Sequence, residues 1–321
     1  MALPQRSLGS WKVSAMGLGC MPMSGLPTTK AYMIDDRAGA LEVIHTALDA
    51  GVTLLDTADI YAPSWDNFGH NERLVAEAFR TWSGSIEAKS KVVIATKGGI
   101  TRGPKESWGR AASRDYLLRA AEASALRLGI EKIQLWQHHR LDPSIAFEDQ
   151  FENVLVLLER GLVEKIGVSN YTPEQLRRAI KIGGTPSQGG LISIQNQFSP
   201  RYRHDSEIFA ICEEYGIAYF PWSPLGGVRR SNELGAGEYS AFSEIGESKG
   251  VSPYAIAIAW HLHNSPITIP IPGATRVESV VDSLIGLTVS LTEDEMKELN
   301  SHLPEDGPVD GELANQPSFR N

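Results

Sequence analysis

Four residues in three short segments are of types that together move a proton to a carbonyl oxygen: Asp56 and Tyr61 in LLDTADIY, Lys97 in VVIATKGG and His139 in LWQHHRLD. Asp56, Lys97 and His139 sit at or beside the end of an apolar run, and Tyr61 follows Asp56 in the loop beyond. A free phenol, with a pKa of about 10, is a poor donor at neutral pH. A neighbouring ammonium stabilises the phenolate, so Lys97 is expected to bring Tyr61 down toward the working range. Buried beside a phenol, Lys97 needs a counter-charge, which Asp56 supplies. His139 can donate a hydrogen bond that orients the substrate oxygen. Singly, each has a plainer role: a turn aspartate, a solvated lysine, a core tyrosine, a structural histidine. Grouped at strand ends of one barrel, they make a reaction centre.

That grouping depends on the elements that carry them. Eight extended runs read as strands: Ala15–Gly19, Thr53–Asp56, Val92–Thr96, Ile133–His138, Val163–Val168, Leu191–Gln195, Ala218–Pro221 and Thr268–Ile271. Between them lie helical patterns over Asp36–Ala50, Asn71–Trp82, Ser113–Leu128, Phe147–Arg160, Glu207–Tyr215 and Thr275–Ile285. Thr172-Pro173-Glu174-Gln175 and Thr292–Glu295 read as capping boxes. Strands alternating with helices imply a parallel sheet, and eight units imply an α/β fold, a (β/α)8 TIM barrel. RSLGSWKVS, turning at Gly9-Ser10, adds an N-terminal β-hairpin. With no linker or repeat, residues 1–321 are expected to form a single domain. The stretches Ala58–Gly69, Gly98–Ala112 and Gly226–Gly237 follow strand ends and should be loops over the active face. The tail after Leu303 is polar and expected to be loosely held.

The chain has 321 residues, 42% hydrophobic and 21% charged, which suits a globular protein with a sizeable core. A net charge of −9 argues against nucleic acid or an anionic membrane surface as partner. With only Cys20 and Cys212, far apart in sequence, a disulfide framework is not expected, and no Cys/His spacing resembles a zinc site. Without a signal-like or membrane-length apolar run, the expected location is cytoplasmic.

The motifs resemble those of the aldo-keto reductase family. DTADIY matches its DTAxxY, Lys97 its strand-terminal lysine and WQHHRLDP its QxHxxD, so Asp56, Tyr61, Lys97 and His139 correspond to its catalytic tetrad. The match continues through GVSN, IQNQFS, PWSPLG and IPGATR, in order along nearly the whole chain. The resemblance implies an oxidoreductase that interconverts small-molecule carbonyls (aldehydes, ketones, sugar-like or pyridoxal-type compounds) and alcohols. It also implies NADP(H) as cofactor, favoured over NAD(H), held without a GxGxxG loop.

By the same resemblance, Ser169, Asn170 and Gln195 bind the nicotinamide carboxamide, Trp222 stacks on its ring, and Ser223, Leu225 and Gly226 wrap the pyrophosphate. Gly273 and Thr275 lie in the segment leading to the last phosphate-facing helix, and Arg276 is the candidate for the adenosine 2′-phosphate. Ser279 stands where the family often has Arg, His or Gln, and Asp282-Ser283 where it has Glu-Asn. Met21, Met23, Trp65, Trp108 and Tyr202 are candidates for the substrate mouth. The loop after Tyr61 is longer than the family's usual spacing, and His138 occupies a position that is usually apolar. Two other readings compete. A metal-dependent hydrolase using His138, His139, Asp142, Asp56 and Asp59 requires adjacent strand residues to face the same way, which a strand forbids. The other is a nicotinamide-binding regulatory subunit with little turnover, which the intact tetrad disfavours.

Overall fold

The computed structural model describes residues 2–24, 36–227 and 231–301. The expected polar tail after Leu303 and part of the 226–237 stretch lie outside the described residues. Seven runs pair in chain order as one parallel sheet: Leu18–Gly19, Leu54–Asp56, Val93–Gly98, Ile133–His138, Val163–Ser169, Leu191–Gln197 and Ala218–Trp222. Each matches an expected strand, with Ala15–Gly19 shortened to its last two residues.

The eighth run closes the barrel but makes only isolated bridges, Thr268 with Tyr219 and Gly273 with Gly19. Its sequence, ITIPIPG, gives the reason. On one side Ile269 N–H donates to Tyr219 O at 2.8 Å and Ile271 N–H to Pro221 O at 3.5 Å. On the other, Pro270 and Pro272 have no N–H to give, yet their carbonyls accept from Gly17 and Gly19 at 2.9 and 3.0 Å. The chain is held on both flanks, with half the bonds of a ladder on one of them. At this seam Gly19 is required: a Cβ there would lie 2.7 Å from the Ile271 carbonyl oxygen.

Alternation along the strands sorts side chains inward and outward. Leu54, Val93, Ala95, Leu135, Ala218, Phe220, Ile269 and Ile271 fill the barrel interior. Leu8 and Val13 of the Gln5–Leu8/Trp11–Ser14 hairpin belong to the same cluster, so the expected hairpin adds to that core. Two residues beyond Leu54, Ala95 and Leu135 on the same inward face come Asp56, Lys97 and Gln137.

Outside, the helices begin as their caps dictate. Asp36 accepts from Gly39 N, Ser113 from Tyr116 N, and Thr172 and Thr292 each complete a capping box. Several elements escaped the sequence reading, among them the helices Ile86–Ser90 and Ser240–Lys249. Gly98–Ala112, expected to be loop, contains an antiparallel hairpin pairing Ile100–Gly103 with Ser107–Arg110. Its turn puts Lys105 and Glu106 at φ 59°, a conformation that glycine usually signals. The helix Pro253–Asn264 is buried at every position from Ala255 to His261, so it carries no amphipathic period to read.

Candidate active site

The inward parity brings the four expected residues together. Lys97 is fully buried, and its Nζ donates to Asp56 Oδ2 at 2.7 Å, to the Thr57 carbonyl at 2.8 Å and to the Tyr61 hydroxyl at 3.2 Å. Its ammonium also lies 4.9 Å from the centre of the Tyr61 ring. The other Asp56 oxygen accepts from Gln195 Nε2 at 2.9 Å and Gln137 Nε2 at 3.3 Å. Tyr61 and His139 meet edge to face, ring centres 6.0 Å apart.

Electrostatics set the protonation states. Burial works against the Lys97 ammonium, but Asp56 and Tyr61 more than offset it, and its pKa rises. Burial and the cations Lys97, Arg140 and Arg110 hold His139 well below the usual histidine value, so it is neutral at pH 7. Its Nδ1 is buried without a partner, and the ring lines the cavity as a neutral hydrogen-bonding group. Tyr61 departs from expectation. Burial raises the phenol above its ordinary value, and the opposing pull of Lys97 does not overcome it, because Lys97 shares its charge with Asp56, which also raises the phenol. Tyr61 is therefore a neutral phenol at pH 7 rather than half-ionised.

These residues open on a cavity of about 390 Å³. Ser169, Asn170, Gln195 and Trp222 form one wall, with Ser223, Leu225 and Gly273 beside it; Met21, Ile60, Ile100 and Trp108 form an apolar side. Asn170 sits at φ 61°, its amide donating to Ser169 Oγ at 2.9 Å and to the His139 carbonyl at 3.2 Å, while its oxygen accepts from Trp222 Nε1 at 3.1 Å. Ser169 Oγ donates to the Gln195 carbonyl at 2.8 Å. The wall was expected to offer donors and acceptors alike. Its amide N–H groups are instead largely spent inside the protein, which leaves it rich in acceptors.

Other expected residues lie elsewhere. Trp65 is 40% exposed and Tyr202 sits in a turn with Ser199; neither lines the cavity. Met23 is core. Gly226, at φ 91°, shapes the turn behind Leu225. Thr275, Arg276, Ser279, Asp282 and Ser283 lie beyond Gly273, outside the cavity lining. Arg276 is exposed at the start of the Val277–Ile285 helix, which has no side-chain cap. Asp282 accepts from Ser252 Oγ at 2.6 Å and Ser283 is buried.

Several positioning residues carried no motif signal. Arg102, buried, donates to the Ala62 and Pro63 carbonyls at 2.7 and 3.2 Å, pairs with Glu106 and stacks on Trp108. It thereby ties the lengthened loop after Tyr61 to the hairpin. Asn71 accepts from Thr57 Oγ1 at 2.6 Å, and its backbone N–H donates to the Tyr61 carbonyl at 3.0 Å. Glu72 accepts from Thr96 Oγ1 at 2.6 Å and pairs with Arg127. Arg140 is buried and lines the cavity. Arg102, Asn71 and Glu72 are polar residues between motifs, legible only once the fold brings them into contact, and Arg140 lies inside WQHHRLDP at a position that motif leaves open.

The metal reading fails on geometry. His139 faces the cavity, while His138 bonds to the Tyr171 hydroxyl on the outer side. Among the described residues no cluster of His, Cys, Asp and Glu could hold a metal. Asp59 is buried, and neither oxygen makes a well-formed hydrogen bond. Burial and Glu72 push its carboxyl well above the usual range, against Arg127, the Ile60 amide and Lys97. A raised folded pKa means the native state holds a proton the unfolded chain has lost, so stability declines as pH climbs from about 3.8 toward the folded value. Asp59→Asn, always neutral, should therefore melt higher than the parent at pH 7 to 8, with the gain vanishing near pH 4. Thermal melts across that range check it; equal melting temperatures at pH 8 would contradict it.

No helix among the described residues is long and apolar enough to cross a membrane. Residues 15–304 match the family model described as Aldo/keto reductase family. The uncharacterized oxidoreductase C215.11c of Schizosaccharomyces pombe is 27% identical over 295 residues, covering 91% of this chain and 88% of that protein. Among solved structures, the thermostable aldo-keto reductase Tm1743, in complex with the inhibitor epalrestat, superposes with a TM-score of 0.76 at 26% identity, over 93% of this chain and 99% of that one. An aldo-keto reductase from Klebsiella pneumoniae, in complex with NADPH, gives 0.75 at 20% identity, over 96% and 98%, a likeness of fold. The fold is thus the barrel the sequence implied, and the chain belongs to the aldo/keto reductase family of oxidoreductases.

Proposed function

We propose that this protein reduces a small carbonyl compound to its alcohol, and runs the reverse, with NADP(H) as cofactor and Tyr61 as the proton donor. The observation that carries this reading is the buried contact of Lys97 Nζ with the Tyr61 hydroxyl, 3.2 Å, at a cavity that His139 also lines. A carbonyl oxygen placed between the phenol and His139 would be polarised by two neutral hydrogen-bond groups. As negative charge builds on that oxygen, its proton affinity passes that of the phenol and Tyr61 delivers. Lys97 stabilises the phenolate left behind, and Asp56 holds Lys97 in place. In oxidation the same phenolate takes the alcohol proton.

A bound nicotinamide would supply or accept the hydride. The wall fits such a group: Trp222 offers a flat face, and the Asn170 and Gln195 carbonyl oxygens suit the N–H groups of a carboxamide. Ser169 would complete that site, with Ser223, Leu225, Gly226 and Gly273 along the pyrophosphate. Thr275 and Arg276, at an uncapped helix start, suit the 2′-phosphate, which favours NADP(H). Of Ser279, Asp282 and Ser283, the last two are engaged or buried and contribute packing rather than ligand contacts. The apolar side formed by Met21, Ile60, Ile100 and Trp108 suits an aromatic or aliphatic carbonyl.

Tyr61→Phe should lower kcat with NADPH and an aldehyde panel by about 10²–10⁴-fold while NADPH still binds. Undiminished turnover would remove Tyr61 from the mechanism. Tight NADPH binding by the parent with no turnover across the panel would favour a regulatory subunit. Arg276→Ala should weaken NADPH about tenfold and leave NADH unchanged, measured by quenching of protein fluorescence. Equal loss for both nucleotides would overturn the 2′-phosphate assignment.

A further inference from the structure

His138 is absorbed by neither the reaction nor the barrel core. It lies on the outer face of its strand, beside Trp136 in a near-parallel stack, fully buried, with Nδ1 hydrogen-bonded to the Tyr171 hydroxyl at 2.8 Å. Its Nε2 has no partner. The bond to Tyr171 joins the stack on Trp136 and the edge contact with the Tyr171 ring in fixing the imidazole. Tyr171 is 2% exposed and follows Asn170 directly.

Asn170 is a non-glycine residue at φ 61°, a costly conformation that persists where neighbours over-determine it. The neighbours form a chain on the outside of the barrel. The Tyr171 carbonyl accepts from Asn196 Nδ2 at 3.0 Å; Asn196 Nδ2 also reaches Asp205 Oδ2 at 2.9 Å; Tyr219 donates to the same oxygen at 2.6 Å. Three of these residues stand behind residues of the cavity wall. His138 precedes His139, Tyr171 follows Asn170, and Asn196 follows Gln195.

We propose that the His138–Tyr171 hydrogen bond is a positioning device for the nicotinamide end of the cofactor, fixing from outside the barrel the turn that aims Asn170 at the cavity. This rests on the cofactor reading above. The bond ties the end of the Ile133–His138 strand to the turn after Val163–Ser169, and so sets the distance between His139 and Asn170. Without it, Asn170 can relax from the left-handed region, and its contacts with the His139 carbonyl and the Trp222 indole loosen together. The device acts on the nicotinamide wall and not on the helix start at Arg276, so its effect is confined to one end of the ligand.

The test compares NADPH with adenosine 2′,5′-bisphosphate, which carries only the other end. Tyr171→Phe and His138→Leu should each raise the NADPH Kd about five- to tenfold and leave the bisphosphate Kd unchanged. His138→Asn, whose amide can stand near the Nδ1 position, should restore most of the NADPH affinity lost in His138→Leu. Unchanged NADPH affinity in the Phe and Leu variants, an equal loss for both ligands, or no rescue by Asn would each overturn the proposal. If Tyr171→Phe does not fold, the Leu/Asn pair decides alone. Parent protein that fails to bind NADPH would overturn the cofactor reading itself, whereas parent binding with indifferent variants overturns only this inference.

Discussion

A fully buried ammonium is a demanding thing to place inside a barrel. Lys97 has no route to solvent, and its three hydrogen bonds go to a carboxylate, a carbonyl and a phenol. Three donors and three acceptors leave the group satisfied and fix its direction. Removing Asp56 from such a pair would leave an uncompensated charge, a loss of about 3–5 kcal/mol. The same carboxylate is braced by Gln137 and Gln195, so three strands converge on one side chain. Tyr61 inherits its position from that arrangement.

The barrel provides this convergence through strand parity. Residues two apart on a strand share a face, so apolar layers built from Leu54, Ala95 and Leu135 place polar residues directly above them. Parity also explains why neighbouring histidines do unrelated work, His139 in the cavity and His138 behind it. Closure comes from the least regular strand, where two prolines remove donors but keep acceptors. A seam of that kind is weaker than a full ladder, and Gly19 lets the two backbones approach there.

Much of this was legible in the sequence. The strand ends that carry Asp56, Lys97 and His139 follow from apolar runs stopped by polar residues, and the capping boxes at Thr172 and Thr292 mark their helices from local chemistry alone. What stayed hidden has physical causes. The Ile100–Arg110 hairpin turns through Lys105 and Glu106, residues that do not announce left-handed backbone. The Pro253–Asn264 helix is enclosed on all sides and so shows no periodicity. Arg102 and Asn71 act through partners far away in the chain, which no local pattern encodes. The Tyr61 phenol rises rather than falls because charge proximity is legible in the sequence and burial, the larger influence, is not.

Asp56 keeps Lys97 protonated beside the phenol. The most direct measurement is the pH dependence of kcat/KM for carbonyl reduction in Asp56→Asn against the parent. Without the carboxylate, burial acts on Lys97 unopposed by its main partner, and Tyr61 loses the nearby negative charge that also raised it. Both changes move proton loss to lower pH, so the basic limb of the profile should shift downward. A basic limb that stays where the parent has it would contradict the account.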